Sequence, residues 1–301
     1  MIDLGGVTLP VTTPFDPVTG DIDVVAFRSN LRHWCAEPIR GVLVAGSTGE
    51  SVLLDEAERV ALLRAARDVV GERLLLAGTG AESLRATVRM TKAAADAGAD
   101  AVLVSPPAYY RDAMTPEVLA RHYRTLADAS PVPVIVYQVP LRLSTLEFPT
   151  GLVAELSRHR NIVGIKDSRG RLDLLAELIS QSAGGFQVLV GSGGVLYGAL
   201  EAGAVGGIVA VGLLSTADAA AVYAGFAADR KAEAGRAQER IAPLHKRIVG
   251  GMGVPGVKAA LDILGLHGGA PRPPLAAVSE ARREEICRLL EKAGLLSAAQ
   301  A

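Results

Sequence analysis

Apolar residues fall into two alternating patterns along the chain. Short, nearly continuous runs rich in β-branched residues occupy positions 6–12, 41–45, 74–77, 101–104, 132–139, 162–166, 186–190 and 205–210. Runs without a polar residue at every second position read as parallel strands covered on both faces. Between them, at 23–35, 55–70, 81–97, 115–129, 146–159, 171–182 and 193–201, the pattern is helical. The second of these stretches places Asp55, Glu56 and Glu58 in its first turn, ahead of Val60, Leu63 and Ala66 at helical spacing. Eight strand–helix steps with no long antiparallel insert predict an α/β chain closed into a (β/α)8 TIM barrel.

After the eighth strand the pattern is helical only, over 216–237, 238–249, 257–264 and 279–293, with glycine- and proline-rich breaks at 250–256 and 268–274. The first of these helices serves as the eighth barrel helix. The expectation is therefore a barrel over residues 1–235 and a C-terminal helical appendage over 236–301 packed on it.

Composition narrows the function. A chain of 301 residues with 50% hydrophobic content fits one domain with a small appendage. Lys and Arg total 31 against 32 Asp and Glu, so no global field draws nucleic acid or an anionic membrane, and neither is expected as a partner. Cys35 and Cys287 are far apart and give no disulfide framework, which points to a reducing compartment. The first ten residues show no signal-peptide pattern, and the most apolar stretch, 203–214, is too short to span a bilayer. A cytoplasmic location is expected. The five histidines are scattered without metal-ligand spacing, so no metal is expected.

Lysine positions carry the chemical signal. Of six lysines, Lys92, Lys231, Lys246, Lys258 and Lys292 lie in helical or polar contexts and read as solvent-facing. Lys166 instead ends the sixth strand, at the barrel end where active sites gather. An amine brought toward an apolar interior is driven toward its neutral form, which attacks a ketone to give an imine. Position alone leaves a second reading open, in which Lys166 neutralises Asp167 or caps the rim. Tyr137, in the adjacent fifth strand, is placed either to pass protons to that amine or simply to fill the barrel. Directly after strand two, Gly46-Ser47-Thr48-Gly49-Glu50 offers a tight turn with two hydroxyls and backbone N–H groups for a small anion. It lacks the Gly-Lys-Ser/Thr ending of a phosphate loop.

Taken jointly, Gly46-Ser47-Thr48-Gly49-Glu50, Tyr137-Gln138-Val139-Pro140 and Gly164-Ile165-Lys166-Asp167 resemble the dihydrodipicolinate synthase and N-acetylneuraminate lyase family of class I aldolases. The likeness runs from Val11-Thr12-Thr13-Pro14-Phe15 to Gly253-Val254-Pro255-Gly256-Val257-Lys258. It implies a homodimer or homotetramer that captures pyruvate as an imine on Lys166, with Tyr137 transferring protons and no cofactor. It also implies that Ser47 and Thr48 meet the pyruvate carboxylate, that Tyr110 is lent across a dimer interface, and that the backbone of Gly207, Ile208 and Val209 borders the keto acid. Within the family, residues 127–133, 161–164 and 266–275 look most like the 4-hydroxy-2-oxoglutarate aldolase branch, which is the preferred reading. Arg142 stands where the synthase branch binds the carboxylate of aspartate semialdehyde, and that condensation is the alternative. A non-catalytic keto-acid-binding barrel is the third reading. Gln138 and Leu141-Arg142-Leu143-Ser144 depart from the family pattern, in a loop expected to face the second substrate.

Overall fold

The computed structural model describes residues 2–296. Eight parallel strands close into a barrel in chain order: β1 Gly6–Pro10, β2 Gly41–Val44, β3 Leu74–Gly78, β4 Ala101–Val104, β5 Val134–Gln138, β6 Ile162–Asp167, β7 Gln187–Val190 and β8 Gly206–Ile208. Around it lie α1 Val24–Cys35, α2 Glu56–Val70, α3 Leu84–Asp96, α4 Pro116–Ala129, α5 Thr150–Leu156, α6 Leu172–Gln181, α7 Leu196–Glu201 and α8 Thr216–Ala227. The expected barrel with added C-terminal helices is what the chain forms.

Local chemistry explains where the helices begin. Asp23, Ser83 and Thr115 each accept a backbone N–H in the first turn of α1, α3 and α4. Asp55 and Glu58 form a reciprocal capping box on α2. Such caps contribute roughly 0.5–2 kcal/mol each.

The continuous apolar runs serve two cores. Val42, Val44, Leu75, Val102, Val136 and Val188 point outward beneath the helices. Leu43, Leu76, Leu103, Ile135, Leu189 and Ile208 fill the barrel. Both strand faces are thus apolar, which is why strict alternation is missing from the sequence.

One irregularity positions the chemistry. β5 and β6 pair as Val134 with Ile162 but then Ile135 with Gly164, so β6 carries one extra residue. Ile162 belongs to the outer core and Val163 to the inner one, while Ile165 is outward again. Regular alternation from Ile162 would turn Lys166 outward; the extra residue turns it into the barrel, beside Tyr137 in register. Gly164 is the residue that permits this, because a Cβ there would lie 2.3 Å from the Gln187 carbonyl oxygen.

The C-terminal region contains α9 Lys231–Leu244, a π-helical turn His245–Gly250, α10 Gly253–Ile263 and α11 Glu280–Lys292. Two expectations change here. The helix expected over 216–237 breaks at Asp229, which takes a φ of 54°, and the chain folds back so that Gly225 packs against Ala234. The run expected as a break at 250–256 instead opens α10, with Pro255 in the first turn, where a missing N–H costs no helical bond. No helix among the described residues is long and apolar enough to cross a membrane.

Candidate active site at the C-terminal end of the barrel

A cavity of about 210 Å³ opens where the strands end, bordered by Ser47, Thr48, Tyr137, Arg142, Lys166 and His245. A larger hollow of about 400 Å³ runs outside the barrel along α4, but its lining of Arg121, Arg124, Asp128 and neighbours holds no lysine, cysteine or tyrosine. The candidate side chains Lys166, Tyr137, Ser47, Thr48 and Arg142 converge on the smaller one.

Lys166 is 5% exposed, and its Nζ lies 4.5 Å from the centre of the Tyr137 ring. Burial lowers its pKa from the ordinary lysine value, with the Tyr137 phenol pulling the other way. Asp167 does not neutralise it. That carboxylate takes the Arg169 guanidinium through Nε at 3.0 Å and Nη2 at 2.5 Å, and the Arg169 backbone N–H at 2.8 Å. The ion-pair reading left open by the sequence is thereby removed.

The loop after β2 carries Ser47 and Thr48 into the cavity between two residues in the left-handed region, Ala45 at φ 53° and Glu50 at φ 58°. Gly49 fits because a Cβ would lie 2.9 Å from the Val11 carbonyl oxygen, and its own carbonyl accepts the Thr13 hydroxyl at 2.8 Å. Beyond it the Glu50 carboxylate is fully buried against Lys258, at 2.8 Å. Lys258 was expected to face solvent; it is 0% exposed, and its Nζ also donates to the carbonyls of Thr13 and Ala270.

The opposite wall is built by the β5–α5 loop and the π-helical turn. Arg142 Nη1 donates to the carbonyls of Val249 and Gly250 at 3.2 and 3.1 Å. His245 Nε2 lies 3.1 Å from the Ser192 hydroxyl. Burial, aided by the Arg142 charge, holds the His245 pKa down at about 4, so the ring is neutral at pH 7. Neither His245 nor Ser192 stands out in the sequence; Pro243 inside α9 is the one mark of a distorted helix nearby.

Gln138 does not face the second-substrate side of the cavity as expected. Being next to inward Tyr137 it points outward, fully buried, donating to the carbonyls of Val139 and Leu146 and accepting the Phe148 N–H at 2.8 Å. It fastens the loop that carries Arg142. Leu143, of the same departure, does line the cavity.

Ile208 borders the cavity, whereas Gly207 packs toward β7, 3.1 Å from the Val190 carbonyl oxygen at its Cβ position. Val209 is buried in the outer core, its N–H on the Thr8 carbonyl. Tyr110 lies in the loop after β4, 73% exposed and edge-on to Tyr109, outside the cavity of its own chain.

Residues 3–293 match the model of the dihydrodipicolinate synthetase family. The 4-hydroxy-tetrahydrodipicolinate synthase of Syntrophus aciditrophicus is 33% identical over 292 residues, 97% of this chain and 99% of that protein. A probable mitochondrial 4-hydroxy-2-oxoglutarate aldolase of Emericella nidulans is 33% identical over 291 residues, 95% of this chain and 93% of that one. Synthases predominate among the similar curated proteins. Among solved structures, a dihydrodipicolinate synthase of Bacillus anthracis superposes with a TM-score of 0.91 at 30% identity, covering 97% of this chain and 99% of that one.

Proposed function

The chain belongs to the dihydrodipicolinate synthetase family of lysine Schiff-base carbon–carbon lyases, and from that premise we propose that it joins pyruvate, held on Lys166, to a small aldehyde bearing a carboxylate, aspartate semialdehyde foremost. The observation that carries the proposal is a buried amine with no carboxylate partner, facing a tyrosine at a barrel mouth. A charged lysine is disfavoured there, and the neutral amine is the nucleophile the reaction needs.

Lys166 Nζ attacks the ketone carbon of pyruvate to give a carbinolamine. Tyr137 supplies the proton with which the hydroxyl departs as water, leaving the imine. Loss of a methyl proton gives the enamine, whose carbon bonds to the aldehyde carbon while the aldehyde oxygen takes a proton. Water, or an amine of the product itself, then displaces Lys166. Ser47 and Thr48 hold the pyruvate carboxylate so that the reacting carbon stays aligned with the aldehyde. Arg142 meets the distal carboxylate of the aldehyde. We further assign Tyr110 to the site of a second copy in a cytoplasmic homodimer or homotetramer, since it lies outside the cavity of its own chain.

The synthase reading displaces the aldolase branch preferred from the motifs. Of the three segments, 266–275 reaches Glu50 and Lys258 through Arg272 and Ala270, whereas residues 127–133 precede β5 and residues 161–164 open β6, at the opposite end of the barrel from Lys166. Asn161 there donates to the carbonyls of Ala127, Ser130 and Val132, a structural task. Features at that end bear on stability more than on substrate. The predominance of synthases among the relatives supports the same choice.

Two experiments test this. Borohydride reduction in the presence of pyruvate is expected to leave its mass increment on the Lys166 peptide; an unmodified peptide refutes the imine. Turnover with pyruvate and aspartate semialdehyde is expected to exceed cleavage of 4-hydroxy-2-oxoglutarate and to fall on Arg142→Ala. The reverse preference restores the aldolase branch.

A further inference from the structure

The Glu50–Lys258 pair takes no part in the chemistry above, yet it begins one residue beyond the loop that presents Ser47, Thr48 and Gly49. We propose that Glu50 and Lys258 are positioning residues that clamp this loop to the C-terminal region and so set the affinity for the 2-oxo acid. The proposal rests on the reading of Ser47 and Thr48 as holders of the carboxylate.

Every donor of Lys258 and both oxygens of Glu50 are engaged. Lys258 has three N–H donors and three acceptors, Thr13 O at 2.9 Å, Glu50 Oε1 at 2.8 Å and Ala270 O at 2.8 Å. The other Glu50 oxygen accepts the Arg272 backbone N–H at 2.8 Å. Both cations lie over the Phe15 ring, Lys258 Nζ 4.5 Å and the Arg272 guanidinium 4.3 Å from its centre. The pair therefore joins segments from after β1, after β2, within α10 and after α10.

Energetics say what such an arrangement is for. A fully buried ion pair is a poor source of stability, since a well-packed apolar pair commonly does as well, but it imposes one geometry on everything bonded to it. The loop beside it needs that. Ala45 and Glu50 both adopt left-handed backbone, which is strained for residues with a side chain. Such strain persists only where surrounding contacts over-determine it. Arg272 extends the grip, bonding the Leu53 carbonyl and both oxygens of Glu58 at the start of α2. The C-terminal region is thus a wall of the site at one remove.

The test is made on the full-length protein, below the unfolding range of each variant, by following borohydride-trapped adduct on Lys166 against pyruvate concentration. Glu50→Gln is expected to raise the half-saturating pyruvate concentration at least tenfold while the maximal extent of trapping stays unchanged. Leu290→Ala, a core truncation in α11, serves as the control for mere loss of stability and is expected to leave half-saturation within twofold. A Glu50→Gln protein that melts earlier but saturates like the wild type overturns the proposal. So does one that loses maximal trapping at unchanged half-saturation. If Glu50→Gln does not fold, the paired Glu50→Gln, Lys258→Met chain leaves no lone charge and gives the same readout. A wild-type protein that forms no adduct overturns the imine reading itself, and this inference with it.

Discussion

Lys166 and Lys258 make an instructive pair. Both are buried, both set Nζ 4.5 Å from the centre of an aromatic ring, and in both burial pulls the pKa below the ordinary value. They differ in partners. Lys258 has a carboxylate and two carbonyls; Lys166 faces the Tyr137 ring and, among the described residues, has no carboxylate partner. Burial alone therefore does not mark a nucleophile. What would mark one is burial without a counter-charge, which shifts the balance toward the neutral amine.

The largest test of this contrast is Lys166→Met. Trapped adduct and turnover are expected to vanish, while the melting midpoint holds or rises, because an amine without an ionic partner has been taken from an apolar site. Tyr137→Phe is expected to slow imine formation about 10²–10⁴-fold, as measured by trapping rates. Lys258→Met should do the opposite of Lys166→Met: a loss of about 3–5 kcal/mol in urea unfolding, from stranding the Glu50 charge. Equal stability losses for the two lysine variants would erase the distinction. Gly164→Ala sharpens it further, for the added methyl meets the Gln187 carbonyl; a cost of about 1–3 kcal/mol and slower trapping are expected as Lys166 is turned away.

The smallest effect concerns pH. His245 resists protonation down to about 4 in the folded protein, whereas in the unfolded chain it takes a proton near 6.5. Between those values the unfolded state binds more protons, so stability falls as pH drops through that window, by an amount on the order of 1–3 kcal/mol. His245→Gln is expected to flatten that part of the profile. A profile identical to the wild type means the ring is solvated.

Much of the fold is legible in the chain because both strand faces are apolar and glycine and proline punctuate the helices. Lys166 and Tyr137 are legible as candidates because they are reactive groups at the C-terminal ends of adjacent apolar runs, where barrel active sites gather. The rest depends on facts that local patterns do not carry. Counting alternation from Ile162 points Lys166 outward, and only the pairing with β5 reveals the extra residue. The Lys258 bond to Glu50 spans 208 positions, so its helix looks like any other with a polar residue on it. Gln138, by contrast, was within reach: the neighbour of an inward tyrosine on a strand must face out.

The span of that bond also orders events on the ribosome. All eight strands have been made by Ile208, yet the lysine that bonds Glu50 is still fifty positions from synthesis. A growing chain thus holds Lys166 before the loop of Ser47 and Thr48 has its anchor. The anchor of that loop belongs to the last quarter of the chain to be translated, and the tenfold gain in affinity proposed for it arrives only then.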